Sequence, residues 1–172
     1  MNNKLKFSPP SYTEKEKEAL ADCITNSWTG SGPKLQAFEN DFKNYKSVSS
    51  AAGFSSCTSA IFLALKTLGI KEGDEVITTA MTFCSTVNCI IHTGATPVLC
   101  DIDPITKNIC PNDINKKITH KTKVIIPVHY AGYPCDMDKI MQIAKEKEIY
   151  IIEDCAHAIE AKFKNQHCGT FG

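Results

Sequence analysis

The chain has no excess of charge of either sign, no apolar run long enough to cross a membrane and no pair of cysteines at metal-knuckle spacing. Nineteen basic residues balance nineteen acidic ones, and the pI is about 6.9. No basic field therefore exists to attract a phosphodiester backbone or an anionic lipid surface, so neither nucleic acid nor membrane is an expected partner. The opening Met1-Asn2-Asn3-Lys4-Leu5-Lys6 lacks the apolar core of a secretory signal, and no later stretch approaches the length of a membrane span. A cytoplasmic location is expected. The nine cysteines are odd in number, scattered from Cys23 to Cys168 and never arranged as Cys-x-x-Cys. That pattern argues against a disulfide framework and against a metal site, and reads the cysteines as small buried hydrophobes in a reducing compartment. Internal repeats, low-complexity tracts and an obvious linker are also lacking.

What is present is enough apolar mass for a core: 42% of the 172 residues are hydrophobic and 22% charged, the balance of one ordinary globular domain. Thr13 followed by Glu16 has the form of a capping box ahead of a helix over residues 15–26. Trp28-Thr29-Gly30-Ser31-Gly32-Pro33 breaks that pattern. Leu35, Phe38, Phe42 and Tyr45 then recur at helical spacing and predict a second helix ending near Lys46. Onward the rhythm becomes strand and helix in turn. Strands are expected over residues 51–55, 75–79, 97–100, 124–128 and 149–152; helices over residues 59–68, 83–92 and 137–147. Residues 103–122 read as a long polar excursion. Strands alternating with helices of about ten residues predict an α/β fold, a mostly parallel sheet covered by helices on both faces.

The strand Tyr150-Ile151-Ile152 ends abruptly in Glu153-Asp154-Cys155-Ala156-His157. Ligands of open α/β sheets bind beyond the carboxyl ends of the strands, so Asp154 is delivered to the expected crevice. A carboxylate there must be paired or hydrogen-bonded, because an unpaired buried charge is prohibitively costly. A helix cap or a structural ion pair is the alternative reading. Ser55-Ser56-Cys57-Thr58-Ser59 lies between a predicted strand and a predicted helix, where hydroxyls and free N–H groups offer an anion site; simple capping by Ser or Thr is the alternative. Phe83, in the loop after residues 75–79, can stack on a flat ring or pack in the core. A cysteine hydrolase built on Cys155 with His157 or His129 lacks an oxyanion-hole signature, and the acid preceding Cys155 raises its thiol's pKa.

Taken in order, Ser56-Cys57-Thr58-Ser59-Ala60-Ile61, Gly73-Asp74-Glu75-Val76-Ile77-Thr78-Thr79, Met81-Thr82-Phe83, Gly94-Ala95-Thr96-Pro97-Val98 with Asp101-Ile102-Asp103, Pro127-Val128-His129-Tyr130-Ala131-Gly132 and Glu153-Asp154-Cys155-Ala156-His157-Ala158 form a linked set. The set resembles the DegT-type sugar aminotransferases, pyridoxal-phosphate (PLP) enzymes of the aspartate-aminotransferase fold, from about Phe7 to Gly172. The resemblance implies PLP as cofactor. Asp154 matches the acid that pairs with the cofactor's pyridine nitrogen, and opposite charges about 3 Å apart at an effective dielectric near 20 attract by roughly 5 kcal/mol before desolvation. Phe83 matches the aromatic stacked on the ring, and His157 a position near its phenolic oxygen. Ser56, Cys57, Thr58 and Ser59 match the phosphate-holding turn, with Cys57 where glycine is common and Ser59 where alanine is common. Thr29, Gly30 and Ser31 match a substrate-pocket loop.

The resemblance further implies an amino-acid donor, expected to be glutamate, a nucleotide-linked keto sugar as acceptor, and a homodimer. It divides the chain into an N-terminal helical segment with the pocket loop, residues 1–46, and part of a PLP-binding large domain, residues 47–172. It also places the Schiff-base lysine beyond Gly172, so that no catalytic lysine is expected within the chain, and these residues are expected to be the N-terminal part of a longer enzyme and inactive alone. Lys162 and Lys164 look like an exposed hairpin. Some relatives carry histidine in place of that lysine and run as deoxysugar dehydratases; a non-catalytic cofactor-binding or dimerising protein is the remaining alternative.

Overall fold

The computed structural model describes residues 10–172; the reading of Met1 to Lys6 and the start of the resemblance near Phe7 lie outside the described residues. The chain forms two compact units, one reaching to Gly53 and the other Phe54–Gly172.

In the first unit, α1 (Glu14–Thr25) begins at the expected capping box: the Thr13 hydroxyl and backbone trade hydrogen bonds with Lys15, Glu16 and its carboxylate. Helix α2 (Pro33–Lys46) starts with a proline at its first turn, where the missing N–H costs nothing. The connection between them is folded around Trp28, whose Nε1–H donates to the Ser31 carbonyl at 2.9 Å. Gly32 is required there, since a Cβ would fall 1.7 Å from the indole nitrogen. Residues 51–55 do not form the strand expected of them. A strand exists only as part of a ladder, and among the described residues nothing pairs with this segment; the Gly53 N–H goes instead to the Glu39 carboxylate at 2.7 Å.

The second unit is built on a four-stranded sheet in the order β2-β1-β3-β4, parallel throughout, formed by β1 (Glu75–Thr79), β2 (Thr96–Cys100), β3 (Thr122–Ile125) and β4 (Tyr150–Ile151). Side chains alternate across a strand, and the sequence uses both faces. Val76, Val124 and Ile126 pack with Ile61, Leu65, Cys89 and Ile90 of α3 (Cys57–Thr67) and α4 (Cys84–His92). Ile77 and Ile125, one residue along from their neighbours, pack on the other face with Ile114 of α5 (Pro111–Lys117) and Met137, Ile140 and Ala144 of α6 (Met137–Lys147). The α/β class with helices on both faces is therefore observed. The helix α5 sits inside the stretch read as a polar excursion; seven residues with one buried apolar side chain, Ile114, are too short to show a period. A two-residue hairpin, β5 (Lys162–Phe163) with β6 (Gln166–His167), follows the sheet.

All nine cysteines are free, but only Cys89, Cys100, Cys135 and Cys168 are buried, while Cys57 and Cys84 are exposed. The expectation of uniformly buried cysteines is corrected: both exposed thiols stand in the first turn of a helix, at the rim of the sheet rather than under it. No helix among the described residues is long and apolar enough to cross a membrane.

Ile125 is fully buried at the centre of one face. Ile125→Ala is expected to lower the unfolding free energy by about 2–5 kcal/mol through lost burial and the cavity left behind, read as a lower urea midpoint; a loss below about 1 kcal/mol would show that this face collapses around the gap.

Candidate functional site

Because the four strands run in parallel, their carboxyl ends share one edge. Pairing continues past the regular ladder there: the Asp154 N–H donates to the Pro127 carbonyl at 2.9 Å, and the His129 N–H donates to the Asp154 carbonyl at 3.1 Å. This isolated parallel bridge, Val128 to Asp154, fixes the backbone of Asp154 three residues beyond Ile151, the last residue of the regular ladder. Pro127, with no N–H of its own, helps end the strand that was expected to run unbroken through residues 124–128.

Three elements converge on the Asp154 side chain, which belongs to a residue only 6% exposed. The Thr86 hydroxyl, in the first turn of α4, donates to Oδ2 at 2.9 Å. The Ala156 N–H donates to Oδ1 at 3.2 Å, and the Cys57 thiol, at the start of α3, stands 3.9 Å from the same oxygen. Partial loss of water on the side facing the acid, and then the charge of Asp154, pushes the Cys57 thiol pKa up although the residue as a whole is exposed, so the sulfur faces the acid as S–H. A second hydroxyl, Thr82 Oγ1, lies 2.8 Å from Thr86 Oγ1.

Around this acid the expected residues are distributed as follows. Ser56 is the N-cap of α3: its Oγ accepts the Ser59 N–H at 3.1 Å and lies 2.9 Å from the Ser59 hydroxyl. The capping reading is thus realised, and the N–H groups of Cys57 and Thr58 are left as the helix's unpaired first donors. Phe83 is the N-cap residue of α4, three positions before Thr86, with its ring 76% exposed. Among the described residues Phe83 therefore does not pack in the core. His157 lies in the exposed turn after Asp154, and its carbonyl would be 3.1 Å from a Cβ at Gly132, a residue with φ of +83°. Thr29, Gly30 and Ser31 belong to the connection between α1 and α2 in the first unit.

Sequence reasoning missed the residues that hold the acid. Thr86 lies 68 positions before Asp154, a separation at which no local pattern links them. It also missed the buried pair beside the acid, Glu153 with His129. His129 Nδ1 accepts the Cys135 N–H at 3.0 Å, so the ring proton is on Nε2, which donates to Glu153 Oε2 at 3.0 Å. The same carboxylate accepts the N–H groups of Gly169, Phe171 and Gly172 at 2.8, 2.7 and 3.1 Å. His129, Glu153 and Cys155 place one ligand atom each within 4.8 Å of one another. His129 and Glu153 are nevertheless held as a hydrogen-bonded pair, because a metal at Nε2 would need the lone pair that the proton occupies, and moving the proton to Nδ1 would set it against the Cys135 N–H. For the same reason His129 is no base for Cys155.

The family model described as "DegT/DnrJ/EryC1/StrS aminotransferase family" matches residues 10–172. The chain is 43% identical over 171 residues to the spore coat polysaccharide biosynthesis protein SpsC of Bacillus subtilis (strain 168), covering 99% of this chain and 44% of that protein. It is 45% identical over 172 residues to the GDP-perosamine synthase of Escherichia coli O157:H7, covering 98% and 47%. Among solved structures, the PLP form of Spr1654 from Streptococcus pneumoniae superposes with a TM-score of 0.93 at 34% identity, over 98% of this chain and 47% of that one. The chain thus spans under half the length of the relatives it matches.

Burial alone would raise the Glu153 pKa, but the His129 N–H and the three backbone N–H groups outweigh it and hold the carboxyl below its ordinary value of 4.5. A depressed folded-state pKa means the unfolded chain binds more protons on acidification, so this contribution is complete above about pH 4.5 and is lost as pH falls through the folded value. Glu153→Gln is expected to cost about 1–3 kcal/mol at pH 7 and to flatten the fall in urea midpoint below pH 4.5; an acid limb as steep as that of the unsubstituted protein would contradict the role given to Glu153.

Proposed function

The chain belongs to the DegT/DnrJ/EryC1/StrS aminotransferase family, and from that premise we propose that it forms the cofactor-cradling part of a PLP-dependent sugar aminotransferase. The amino group passes from an amino acid, glutamate, to a nucleotide-linked keto sugar, in polysaccharide or aminosugar biosynthesis. A homodimer completes the proposal. The observation that carries it is Asp154, a buried acid fixed at the carboxyl edge of a parallel sheet and approached by the first turns of two helices.

The residues present fit a phosphorylated pyridine ring. An acid whose Oδ2 accepts a single hydrogen bond retains room to accept another from a protonated ring nitrogen. An exposed phenyl ring one helical turn from Thr86 offers a flat face. A serine-rich helix start offers N–H groups, hydroxyls and the positive end of the helix dipole to a phosphate. Arginine does not occur in the chain, so the phosphate cradle proposed for Ser56, Cys57, Thr58 and Ser59 works through helix geometry and hydroxyls rather than a guanidinium fork.

When bound, the cofactor supplies an electron sink for the bond changes at the amino acid's Cα. The chain's own part is to hold and orient it. Asp154 would keep a proton on the ring nitrogen, since ionised carboxylate and protonated ring attract while an amide in its place could not hold that proton. Phe83 would cover one face of the ring, His157 would stand near its phenolic oxygen, and Thr29, Gly30 and Ser31 would line the substrate pocket. Lys162 and Lys164 take no part: they lie on the β5–β6 hairpin, with Lys164 paired to the exposed Asp138 of α6. The lysine bonded to the cofactor is proposed to come from outside the chain.

Turnover tests this reading. Together with the lysine-bearing polypeptide that the proposal requires, the protein supplied with PLP, glutamate and a nucleotide-linked keto sugar is expected to release 2-oxoglutarate, and Asp154→Asn to lower the rate by about a hundredfold or more while melting within a few degrees of the unsubstituted protein. Near-normal turnover in Asp154→Asn would contradict the assignment.

A further inference from the structure

Two features of the acid's surroundings remain unused by the function above: which of its oxygens is open, and why two threonine hydroxyls are stacked behind it. Oδ1 accepts the Ala156 N–H at 3.2 Å and faces the Cys57 thiol at 3.9 Å. Oδ2 accepts the Thr86 hydroxyl at 2.9 Å. Each carboxylate oxygen has two lone-pair directions, so the remaining one belongs to Oδ2, the oxygen that Thr86 grips. Thr86 is fully buried and its Oγ1 stands 2.8 Å from that of Thr82.

The direction of this hydroxyl chain follows from the proton count. An ionised carboxylate can only accept, so the single Thr86 proton points at Asp154, and Thr82 must then donate to the Thr86 oxygen. Hydroxyls arranged head to tail polarise one another, which strengthens the last donor in the row. A donor on a carboxylate favours its ionised form and lowers its basicity. In a pair made of an acid and a pyridine-type nitrogen, a less basic acid leaves the shared proton on the nitrogen.

We propose that Thr86, polarised by Thr82, is a positioning residue that presents Asp154 Oδ2 to the cofactor and keeps the shared proton on the ring nitrogen. The proposal rests on the reading that a pyridine-ring cofactor meets Asp154. Thr86 touches neither ring nor substrate; it acts through the acid, by fixing the carboxylate plane and by donating to the oxygen that the ring nitrogen would share. A threonine serving only to fill space or to satisfy a buried lone pair would leave the proton where it is.

The test uses pyridoxamine phosphate labelled with 15N in its ring, bound to the protein, because this form binds without a covalent bond and the ring 15N resonance separates pyridinium from neutral pyridine. Four samples are compared: the unsubstituted protein, Thr86→Val, Thr86→Ser and Asp154→Asn. The unsubstituted protein and Thr86→Ser are expected at the pyridinium position, Asp154→Asn at the neutral position, and the isosteric Thr86→Val between them, with about tenfold weaker binding of the ligand. A pyridinium resonance in Thr86→Val alongside a neutral one in Asp154→Asn would overturn the role of Thr86 and leave the Asp154 reading standing. An Asp154→Asn resonance unchanged from that of the unsubstituted protein would overturn both. Should Thr86→Val fail to fold, Thr82→Val reads the same chain: a smaller shift toward neutral pyridine supports it, and an unshifted resonance overturns it.

Discussion

A carboxylate taken out of water must be compensated by hydrogen bonds or opposite charge, and the rim of this sheet is organised around meeting that demand for Asp154. The compensation comes from three places distant in sequence: Thr86 in the first turn of α4, Cys57 in the first turn of α3, and Ala156 in the turn that follows the acid. Thr86 is delivered by the connection from β1 to α4, Cys57 by the start of α3 and Ala156 by the turn after β4. The parallel sheet and the two helices on one of its faces are thus preconditions for holding one acid side chain at a defined point. Neutral donors satisfy the acid without cancelling its charge, which leaves it able to attract a cation.

Glu153, the neighbouring acid, shows the opposite arrangement. Its side chain is 2% exposed and is saturated by a neutral imidazole N–H and three backbone N–H groups. Two adjacent carboxylates therefore have different duties. One closes a loop of backbone onto the sheet edge, while the other keeps an acceptor position in reserve. The left-handed Ala131 and the glycine after it, with φ of 51° and 83°, let the chain turn tightly beside His129.

The elements read most closely from sequence were those with a strong period and clear ends. Strand β1 and helix α6 were expected at their observed limits, β1 as a short strand between helical stretches and α6 as the helix that feeds the next strand; the structure adds that the Asp136 side chain caps α6. Residues 51–55 looked like a strand by composition, but strand formation depends on a partner that composition does not report. Helix α5 was missed because it is short, and β3 ran shorter than expected because Pro127 cannot donate to a ladder. At the site, Asp154 was legible as a charge ending an apolar run, and Ser56 as a hydroxyl at a helix start. Thr86, Thr82 and the pairing of His129 with Glu153 were not, since contacts across 68 and 24 positions arise only when the strands are stacked side by side.

The central claim is that Asp154 meets the ring nitrogen of a pyridine-type cofactor through its open oxygen. A crystal structure of the protein grown with pyridoxamine phosphate measures this directly. The account predicts the ring nitrogen at hydrogen-bonding distance, about 2.7–2.9 Å, from Asp154 Oδ2, with the Thr86 hydroxyl still bonded to the same oxygen. A ring nitrogen facing solvent or any other side chain, with Asp154 left to its protein donors, would contradict it.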